Sequence, residues 1–522
     1  MNRLAEATWS EPSSGRGITL GVLALVVLVA LATGFLATMG NGSVAVALAP
    51  LEIAAVLWAM CVAPLRNTLL VLMFLGLAGD RPGDAQGLWE SPFSFFGGAL
   101  FQNINKTLPF DSWKFNGMTL FVVVLLLIRA HRVLIGRVKD TAQSIVPAPP
   151  LTWSLVAALV TTLGLVAFGI ARGGDSQMAK IQVQTFLVLL GVAYLFSVSL
   201  RGPRDYRLLA IVTVVAACSK AVMALWVRQV GPSALIDQWG TAREVEYVTN
   251  HGDSLVFAAA TVVLVVPFFF RPRMKHLRRA LLALPLIFAG VIANDRRIAW
   301  AHIGVSVVLL FAMNYRSALA RRTFKTAILA SPVLAAYMVV GWMSPSRVFA
   351  PVQTIRSMIV AERVDGSLDR STLFRDIENY NLVYTFQDNP VLGAGFGHPF
   401  TAAVTGDDLS GFKEYYFLPH NAMVGLWAFG GGVGFFGLFT LIVVALFLAA
   451  RAHAYAQTTE IAMAACVALC SIVAYLLHTY ADIGFSGPSG IFLVGAAIAV
   501  AGQVATASGA WPAAAQRSTD EF

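Results

Sequence analysis

The chain has 522 residues, of which 57% are hydrophobic and only 12% are charged, and its formal net charge is +9. Soluble domains carry about 25% charged residues, so this composition excludes an ordinary soluble protein. The positive charge does not indicate a nucleic-acid partner, because the Lys and Arg residues are spread over short segments between apolar runs instead of forming one patch.

Apolar runs long enough to cross a bilayer as a helix, about 18 residues or more, recur along the whole chain. They are continuous and do not alternate between apolar and polar residues, which disfavours a membrane β-barrel. The sequence therefore predicts an all-α polytopic membrane protein, a bundle of about 14 transmembrane helices. In chain order the predicted spans are Gly17–Thr38, Val44–Leu65, Asn67–Gly79, Met118–Ile128, Leu151–Ala171, Ile181–Leu200, Leu208–Val227, Ser254–Phe270, Ala280–Ala293, Ile298–Met313, Ala327–Trp342, Ala422–Ala450, Ile461–Leu477 and Ile491–Val504.

Basic residues are concentrated in alternate loops between these spans. The positive-inside rule assigns such loops to the cytoplasm, so both termini are predicted to be cytoplasmic and the remaining loops extracytoplasmic. The basic residues of the cytoplasmic set are Arg66; Arg129, Arg132, Arg137 and Lys139; Arg201, Arg204 and Arg207; Arg271, Arg273, Lys275, Arg278 and Arg279; Arg316, Arg321, Arg322 and Lys325; and Arg451.

The spans and loops divide the chain into four predicted parts. These are transmembrane helices in 1–343, an extracytoplasmic loop in 344–419, C-terminal transmembrane helices in 420–506 and a cytoplasmic tail in 507–522. An earlier extracytoplasmic loop, Asp80–Gly117, is rich in Phe and Trp, which predicts an interfacial or re-entrant segment because aromatic rings favour the headgroup level.

The longest extracytoplasmic loop, Ser344–Pro419, contains a predicted amphipathic helix. Ser371 is expected to cap this helix, and Asp388-Asn389-Pro390 is expected to end it. Its apolar stripe, spaced as on one face of a helix, consists of Leu373, Ile377, Tyr380 and Tyr384.

His420 is a candidate catalytic base. It ends the long loop between Pro419 and Asn421, where the next span begins, so a helix start would fix its backbone at the membrane surface. An imidazole accepts a proton near neutral pH without needing a strongly perturbed environment. The alternative is an interfacial polar residue that only water satisfies.

Arginines on the extracytoplasmic side form a second candidate feature, because the positive-inside rule makes them uncommon there. Guanidinium groups bind phosphate oxygens in a bidentate fork, so such a cluster would suit the diphosphate of a lipid in the bilayer. The alternative is local pairing with neighbouring acidic residues such as Asp295 and Glu246. The arginines are Arg228, Arg243, Arg296 and Arg297.

Lys220 is unusual because it lies inside a predicted span. An ammonium group is costly in the hydrocarbon region, so Lys220 must face protein or a water-filled cavity. Two interpretations stay open at this point. Lys220 is either part of a functional site or a residue near the outer end of its span whose ammonium reaches the membrane surface.

Three motifs carry a resemblance to a known family. Pro419-His420-Asn421 is followed, after nine residues, by Gly431-Gly432-Val433-Gly434. Upstream stand Asn389-Pro390-Val391-Leu392-Gly393-Ala394-Gly395-Phe396-Gly397 and, earlier, Arg296-Arg297-Ile298-Ala299-Trp300. Together these motifs resemble the O-antigen ligase and O-antigen polymerase superfamily of bacterial surface-polysaccharide synthesis.

The resemblance implies roles for individual residues. His420 would be the base, and Arg297 and Arg243 would be catalytic arginines that bind the diphosphate. The position of Trp300 favours Arg297 over Arg296 as the matching arginine, since Arg296 stands where the family usually has Ser. The remaining residues implied in substrate binding are Arg296, Asn421, Arg228 and Lys220.

The implied activity is that of an inverting, metal-independent membrane glycosyltransferase without a cofactor. Its donor would be an undecaprenyl-diphosphate-linked glycan, and its acceptor a glycan or a lipid-linked molecule. The protein would lie in the bacterial inner membrane, with its site facing the periplasm, among membrane lipids and beside other polysaccharide-assembly proteins.

Several functions stay open. O-antigen or exopolysaccharide polymerases and O-antigen ligases share these motifs, although the large number of predicted spans favours a polymerase. A flippase for lipid-linked glycans would suit Lys220 and a basic cavity, but it would have no need of a titratable His420. A structural membrane subunit is the third alternative.

Overall fold

In a computed structural model of the protein, every regular element among the described residues is a helix. Most of the first predicted span, Gly17–Thr38, and the aromatic segment of Asp80–Gly117 lie outside the described residues. The structure describes residues 27, 29–31, 33, 44–79, 100–101, 115–135, 145–234, 248–294, 296–344, 346–349, 352–353, 355–356, 366–405, 414–481 and 490–511.

The described helices follow the predicted order closely. In chain order they are α1 (Val44–Val62), α2 (Leu65–Ala78), α3 (Gly117–Leu134), α4 (Pro149–Ala171), α5 (Ser176–Ser199), α6 (Pro203–Ala234), α7 (His251–Val265), α8 (Pro267–Phe270), α9 (Met274–Asn294), α10 (Arg297–Met313), α11 (Ala318–Gly341), α12 (Gly366–Asp388), α13 (Ala422–Tyr455), α14 (Thr459–Ala481) and α15 (Ile491–Ala507).

The chain divides into two compact units. The first, Met1–Thr68, contains α1 and the first residues of α2 among its described helices. The second, Leu69–Phe522, contains the rest of α2 and all later helices, including every described residue of the sites considered below.

Nine segments of the described chain form helices long and apolar enough to cross a membrane, with α7 and α8 counted as one, and four shorter apolar helices accompany them. Every predicted span after the first coincides with one of these helices. The all-α prediction is thereby confirmed for the described residues, and these helices are candidate membrane spans, while the total of about 14 spans remains a prediction.

The apolar helices differ in what covers them. Helix α15 is buried along its length and packs against α5, α14 and α13. Helix α11 is equally continuous in its apolar pattern, yet its side chains between Arg321 and Val340 are almost all exposed. Its first turn packs near Phe269, and its last residue, Gly341, is buried.

Several helices begin earlier than the sequence indicated, and α9 and α11 have the most basic residues in the added turns. Helix α9 begins at Met274 and α11 at Ala318, so basic residues predicted to lie in loops are instead in helical turns. Their long aliphatic stems let the charged groups reach past the apolar segment, so the helix continues beyond the apolar core. These residues are Lys275, Arg278, Arg279, Arg321, Arg322 and Lys325.

Helix α12 ends at Asp388 as predicted, but the predicted N-terminal cap is wrong. It begins at Gly366, so Ser371 lies inside the helix and does not cap it. Its buried side chains are the polar Glu378, Asn381 and Thr385 together with Leu382, whereas the predicted apolar stripe is largely exposed. Polar contacts with neighbouring segments replace the apolar packing that the stripe suggested.

Candidate functional site

Helix α13 is interrupted one-third of the way along its length. Gly431 has φ +58° and ψ −160°, a backbone conformation outside the helical region that favours glycine strongly. The break frees backbone groups that a continuous helix would pair internally. Such groups are costly when buried unless another segment bonds to them.

The segment 390–395 fills this break. The N–H groups of Ala394 and Gly395 donate to the carbonyl oxygens of Ala428 and Phe429, at 2.8 and 2.9 Å. On the far side of the break, the N–H groups of Gly432 and Val433 donate to carbonyl oxygens of Pro390 and Val391, at 2.8 and 3.0 Å. The two glycine motifs of the sequence therefore form a single backbone junction.

Glycine is needed at this junction because the two backbones approach so closely. A Cβ on Gly431 would lie 2.5 Å from the amide nitrogen of Gly393. Close helix packing also requires glycine at Gly437, where a Cβ would lie 2.5 Å from Thr161 Oγ1 of α4.

Gln182 of α5 holds two parts of the long loop together. Its Oε1 accepts a hydrogen bond from the N–H of Gly397 at 2.6 Å, and its Nε2 donates to the carbonyl oxygen of Phe417 at 3.0 Å. The ring of His398 lies 3.0 Å from the carbonyl oxygen of Gly169, at the end of α4. The two hydrogen bonds of Gln182 fix the approach of the chain to His420.

His420 immediately precedes α13. Asn421 is the N-cap of the helix, and its side chain accepts a hydrogen bond from the N–H of Val424 at 3.2 Å. The cap fixes the backbone beside His420, as the sequence predicted for a helix start. The His420 side chain is 34% exposed, so its imidazole is held by protein on one side and accessible on the other.

Glu378 of α12 is the acidic partner of His420. Its Oε2 accepts a hydrogen bond from the backbone N–H of His420 at 2.9 Å, and its Oε1 lies 3.2 Å from His420 Nδ1. The carboxylate is completely buried. The ring of Phe374, one helical turn earlier, meets the imidazole edge-on at a centroid distance of 5.9 Å. Three contacts thus orient one imidazole ring.

A second polar cluster surrounds Arg296, the N-cap of α10. The buried guanidinium donates from Nε to the carbonyl oxygen of Thr249 at 3.1 Å and from Nη1 to the ring Nε2 of His251. An arginine side chain only donates, so this nitrogen of His251 is the acceptor. Thr249 Oγ1 in turn donates to Asn294 Oδ1 at 2.6 Å. The fork of Arg296 joins the beginnings of α7 and α10.

Lys220 and Asp253 form a buried ion pair between α6 and α7. The distance from Lys220 Nζ to Asp253 Oδ1 is 3.2 Å, and neither side chain is more than 1% exposed. The interpretation that Lys220 reaches the membrane surface is therefore wrong, because its ammonium is turned into the protein. Asp253 Oδ2 also accepts the backbone N–H of Asn250 at 3.1 Å and so caps α7.

Of the other three predicted arginines, only Arg228 has a described side chain. Arg297 is the first residue of α10, and its side chain lies outside the described residues. Arg243 lies outside them entirely. Arg228 is an exposed residue of α6. The predicted convergence of these arginines on one diphosphate thus stays a prediction.

The histidines of α10 and α14 lie next to each other. His302, predicted to be buried in its span, is fully buried, and its ring centroid is 5.7 Å from that of His478. Helix α14 packs against both α10 and α13. Helix α13 follows His420, and α10 begins next to Arg296. Helix α14 therefore packs against both helices whose N-terminal ends carry these two residues.

Sequence reasoning missed the partners of the predicted residues, namely Glu378, His251 and Asp253. A signal for Glu378 was present, because Glu378, Asn381 and Thr385 repeat at helical spacing on a face beside the predicted apolar stripe. A polar stripe of this kind is usually solvated, and only the fold shows that it is buried.

A small, largely apolar cleft lies next to the segment that contains His420. Helices α4, α5 and α13 and the loop before His420 line it, with Pro419, Ala422, Gly425 and Phe429 among its residues. The lining suits a small apolar group.

Within the described ranges, no group of three or more His, Cys, Asp or Glu side chains is arranged to hold a metal ion. Comparison with known proteins found no protein-family model and no curated protein that this chain matches.

Proposed function

We propose that this chain is a membrane glycosyltransferase that transfers a glycan from an undecaprenyl-diphosphate-linked donor to a hydroxyl group. The observation that carries the proposal is the half-exposed imidazole of His420, held at the start of α13 by the buried carboxylate of Glu378. A histidine with one nitrogen engaged by an acid and one side accessible has the geometry of a general base. The motif resemblance supplies the class of substrate.

The proposed reaction is a single displacement at the anomeric carbon. His420 accepts the proton of the acceptor hydroxyl as its oxygen forms a bond to the anomeric carbon. The bond from that carbon to the diphosphate oxygen breaks, and the diphosphate leaves with the bonding electrons. Attack opposite the leaving group inverts the anomeric configuration. The proposed reaction does not use a metal ion.

Arginines would stabilise the negative charge that grows on the leaving diphosphate. Arg297 is the proposed donor of this interaction, with Arg243 and Arg228 as further cationic groups. Lys220, which the sequence predicted to bind substrate, is left out because its buried ammonium is paired with Asp253. Arg296 already uses its fork for Thr249 and His251, so its proposed contribution is to hold the start of α10 beside Arg297. The apolar cleft next to Pro419 would take the adjoining part of the donor's lipid.

The proposed site faces the extracytoplasmic side of a bacterial inner membrane. The warrant is the alternation of basic loops, which assigns the Ser344–Pro419 loop to the outside. A single cysteine at Ser367, in a background without the four native cysteines, tests the assignment. An impermeant thiol reagent is expected to label it in intact spheroplasts, and failure beside a labelled external control would reverse the orientation.

The activity is tested with donor extracted from a strain lacking this protein, because that strain accumulates the natural lipid-linked glycan. Purified wild-type protein should transfer glycan from this lipid, with chelator present or absent. His420→Gln should lower turnover about 10²–10⁴-fold, the usual contribution of a general base. Wild-type turnover by His420→Gln would remove the proposed base, and loss of wild-type activity in chelator would require a metal.

His398→Gln is the matched control for this experiment. His398 lies in the same loop and is also half-buried, but its ring contacts the backbone of Gly169. Its substitution should leave turnover within a few-fold of wild type. The glycan profile of the deletion strain then separates the two subclasses: single repeat units still transferred indicate a polymerase, and free polymer that never reaches its anchor indicates a ligase.

The buried Lys220–Asp253 pair is the observation that favours the second candidate function, a flippase for lipid-linked glycans. Ionisable pairs inside membrane bundles frequently mark transport pathways. A flippase would move the donor across the membrane without breaking its glycosidic bond. Product formation from donor already dissolved in detergent distinguishes the two, because a flippase forms no new glycan there.

A further inference from the structure

The buried face of α12 is polar at three positions, and each polar side chain binds a neighbouring segment. Asn381 accepts from the N–H of Val404 and donates to its carbonyl oxygen, each at 2.9 Å. Thr385 Oγ1 accepts the N–H of Thr401 at 2.8 Å. These two hold the loop 401–404. Glu378 is the one ionisable member of the three, and it binds His420.

A carboxylate is a costly choice for a contact that is only structural. Removing an ionised carboxylate from water costs far more than removing an amide or a hydroxyl group. Asn381 and Thr385 show that neutral side chains suffice to fix backbone on this face of α12. The choice of an acidic residue at position 378 therefore calls for a role that an amide or a hydroxyl group would not fill.

We propose that Glu378 is the positioning residue that sets the tautomer of His420 and leaves the lone pair of Nε2 available for the acceptor hydroxyl. The inference rests on the proposed function, in which His420 is the base. It adds a residue that none of the sequence motifs contains, and it assigns the proton-accepting role to one particular nitrogen.

The two oxygens of Glu378 meet two different groups of His420. The backbone N–H of His420, which faces Oε2, is a donor in every protonation state. An ionised carboxylate accepts at both oxygens, so the group facing Oε1 must also donate. That group is Nδ1 of His420. A neutral imidazole carries one N–H, so with the hydrogen on Nδ1 the lone pair is on Nε2.

Burial and ring contacts make this arrangement persistent. Glu378 is inaccessible to water, so no solvent molecule substitutes for its oxygens, whereas one-third of the His420 side chain is accessible. The edge-on contact with Phe374 opposes rotation of the imidazole. Because Nδ1 is engaged by Glu378, Nε2 is the ring nitrogen that a substrate meets.

Glu378→Gln tests the role because the fixed backbone donor dictates how the amide must lie. The amide oxygen has to face the N–H of His420, which leaves the amide NH₂ facing Nδ1. A donor at that place requires the hydrogen of the imidazole to move to Nε2, which removes the basic lone pair. In serine proteases the same exchange of carboxylate for amide beside the catalytic histidine lowers turnover about 10⁴-fold.

The decisive measurement is the order of turnover between Glu378→Gln and Glu378→Asp, with donor KM determined for each. Gln keeps the length of Glu but not its charge, whereas Asp keeps two accepting oxygens on a shorter side chain. A tautomer role predicts that Gln loses about 10²–10⁴-fold in kcat at nearly unchanged donor KM, and that Asp is at least about tenfold faster than Gln. Gln equal to or faster than Asp would overturn the inference.

The wild-type protein provides a test that no folding defect affects. In protein labelled with ¹⁵N-histidine, the signal of His420 is identified by its loss in His420→Gln. A protonated Nδ1 with an unprotonated Nε2 is expected at neutral pH. The opposite tautomer would overturn the assignment whatever the variants do.

The outcomes also separate this inference from the proposed function. If His420→Gln keeps wild-type turnover, the proposed base fails and the role of Glu378 fails with it. If His420→Gln is inactive but Glu378→Gln is as active as wild type, the base stands and only the positioning role is lost.

Discussion

Buried charge is handled in opposite ways by two side-chain pairs, the accessible cluster of Glu378 and His420 and the closed cluster of Lys220 and Asp253. Beside α13, a buried acid faces an imidazole that remains one-third accessible. Between α6 and α7, an acid and an ammonium group face each other, and both are buried. The accessible cluster leaves the imidazole of His420 available to a substrate, whereas in the closed cluster the charges of Lys220 and Asp253 face each other inside the protein.

The difference indicates what each cluster is suited to do. A half-exposed base can meet a hydroxyl group without any rearrangement of the protein. A buried ion pair stabilises a fold only weakly, because the cost of removing both charges from water offsets their attraction. Removing one partner of such a pair lowers the stability of the fold strongly, whereas replacing both partners by apolar residues is often neutral. The predictions below test whether this division between an accessible and a closed cluster holds.

The largest effect on stability is expected at the closed cluster. Lys220→Met leaves Asp253 charged and unpaired in the bundle, which should lower the free energy of unfolding by about 3–5 kcal/mol. Denaturant or thermal unfolding in detergent measures the loss. The double variant Lys220→Met with Asp253→Asn keeps an acceptor for the N–H of Asn250 and should recover most of it.

The double variant also tests the comparison itself. Recovery of both stability and glycan transfer would mark the pair as structural. Recovery of stability without transfer would mean that Lys220 and Asp253 take part in the reaction. The contrast between an accessible reactive pair and a closed structural pair would then be wrong.

Next in size is the effect of Arg297→Lys on turnover. Lysine keeps the charge but lacks the fork that binds two phosphate oxygens at once. Loss of one such donor to a developing negative charge should cost about 10²–10³-fold in kcat, or about 2.7–4 kcal/mol. Arg296→Lys is the matched variant, and it should chiefly lower stability, because its fork binds Thr249 and His251. The reverse pattern would exchange the roles of the two arginines.

Most of the fold was predictable from the sequence because span composition is a strong physical constraint. A run of apolar residues that crosses a bilayer must satisfy its own backbone, and the helix does so within one segment. The ends were less predictable. Basic residues such as Lys275 and Arg321 looked like loop residues, yet their stems extend past the apolar core while their backbones stay helical.

The site was predictable only in part. His420 and the glycines of α13 stand in recognisable patterns, and the helix end at Asp388 follows from the proline two residues later. Glu378 was not found, because the fold brings it to His420 from 42 residues away in sequence. The apolar stripe of its helix drew attention to residues that are largely exposed in the fold, whereas Glu378 is buried.

A smaller effect is expected where segment 390–395 enters α13. Gly431→Ala places a Cβ at positive φ and 2.5 Å from the amide nitrogen of Gly393, so it should cost at least about 1–3 kcal/mol of stability. Gly432→Ala is the control. Its new methyl group would lie 3.5 Å from the nearest atom, the carbonyl oxygen of Pro390, so the change should be neutral or slightly stabilising. Equal behaviour of the two would mean that α13 is continuous.

The smallest expected effect is at the N-cap of α13, and it tests what fixes the accessible cluster. Asn421→Ala removes the side-chain acceptor of the Val424 N–H, which should lower stability by about 1 kcal/mol. Asn421→Ser restores an acceptor of the kind that caps helices well, but it lacks the amide with which Asn421 would bind a sugar.

Turnover of the Ser variant separates the two possible functions of Asn421. If the residue only caps the helix, Asn421→Ser should recover both stability and kcat, since the backbone beside His420 is then fixed again. If its amide also binds the glycan, Asn421→Ser should recover stability while its donor or acceptor KM stays raised. Unchanged stability in Asn421→Ala would contradict the cap, and the position of His420 would then depend on Glu378 and the loop alone.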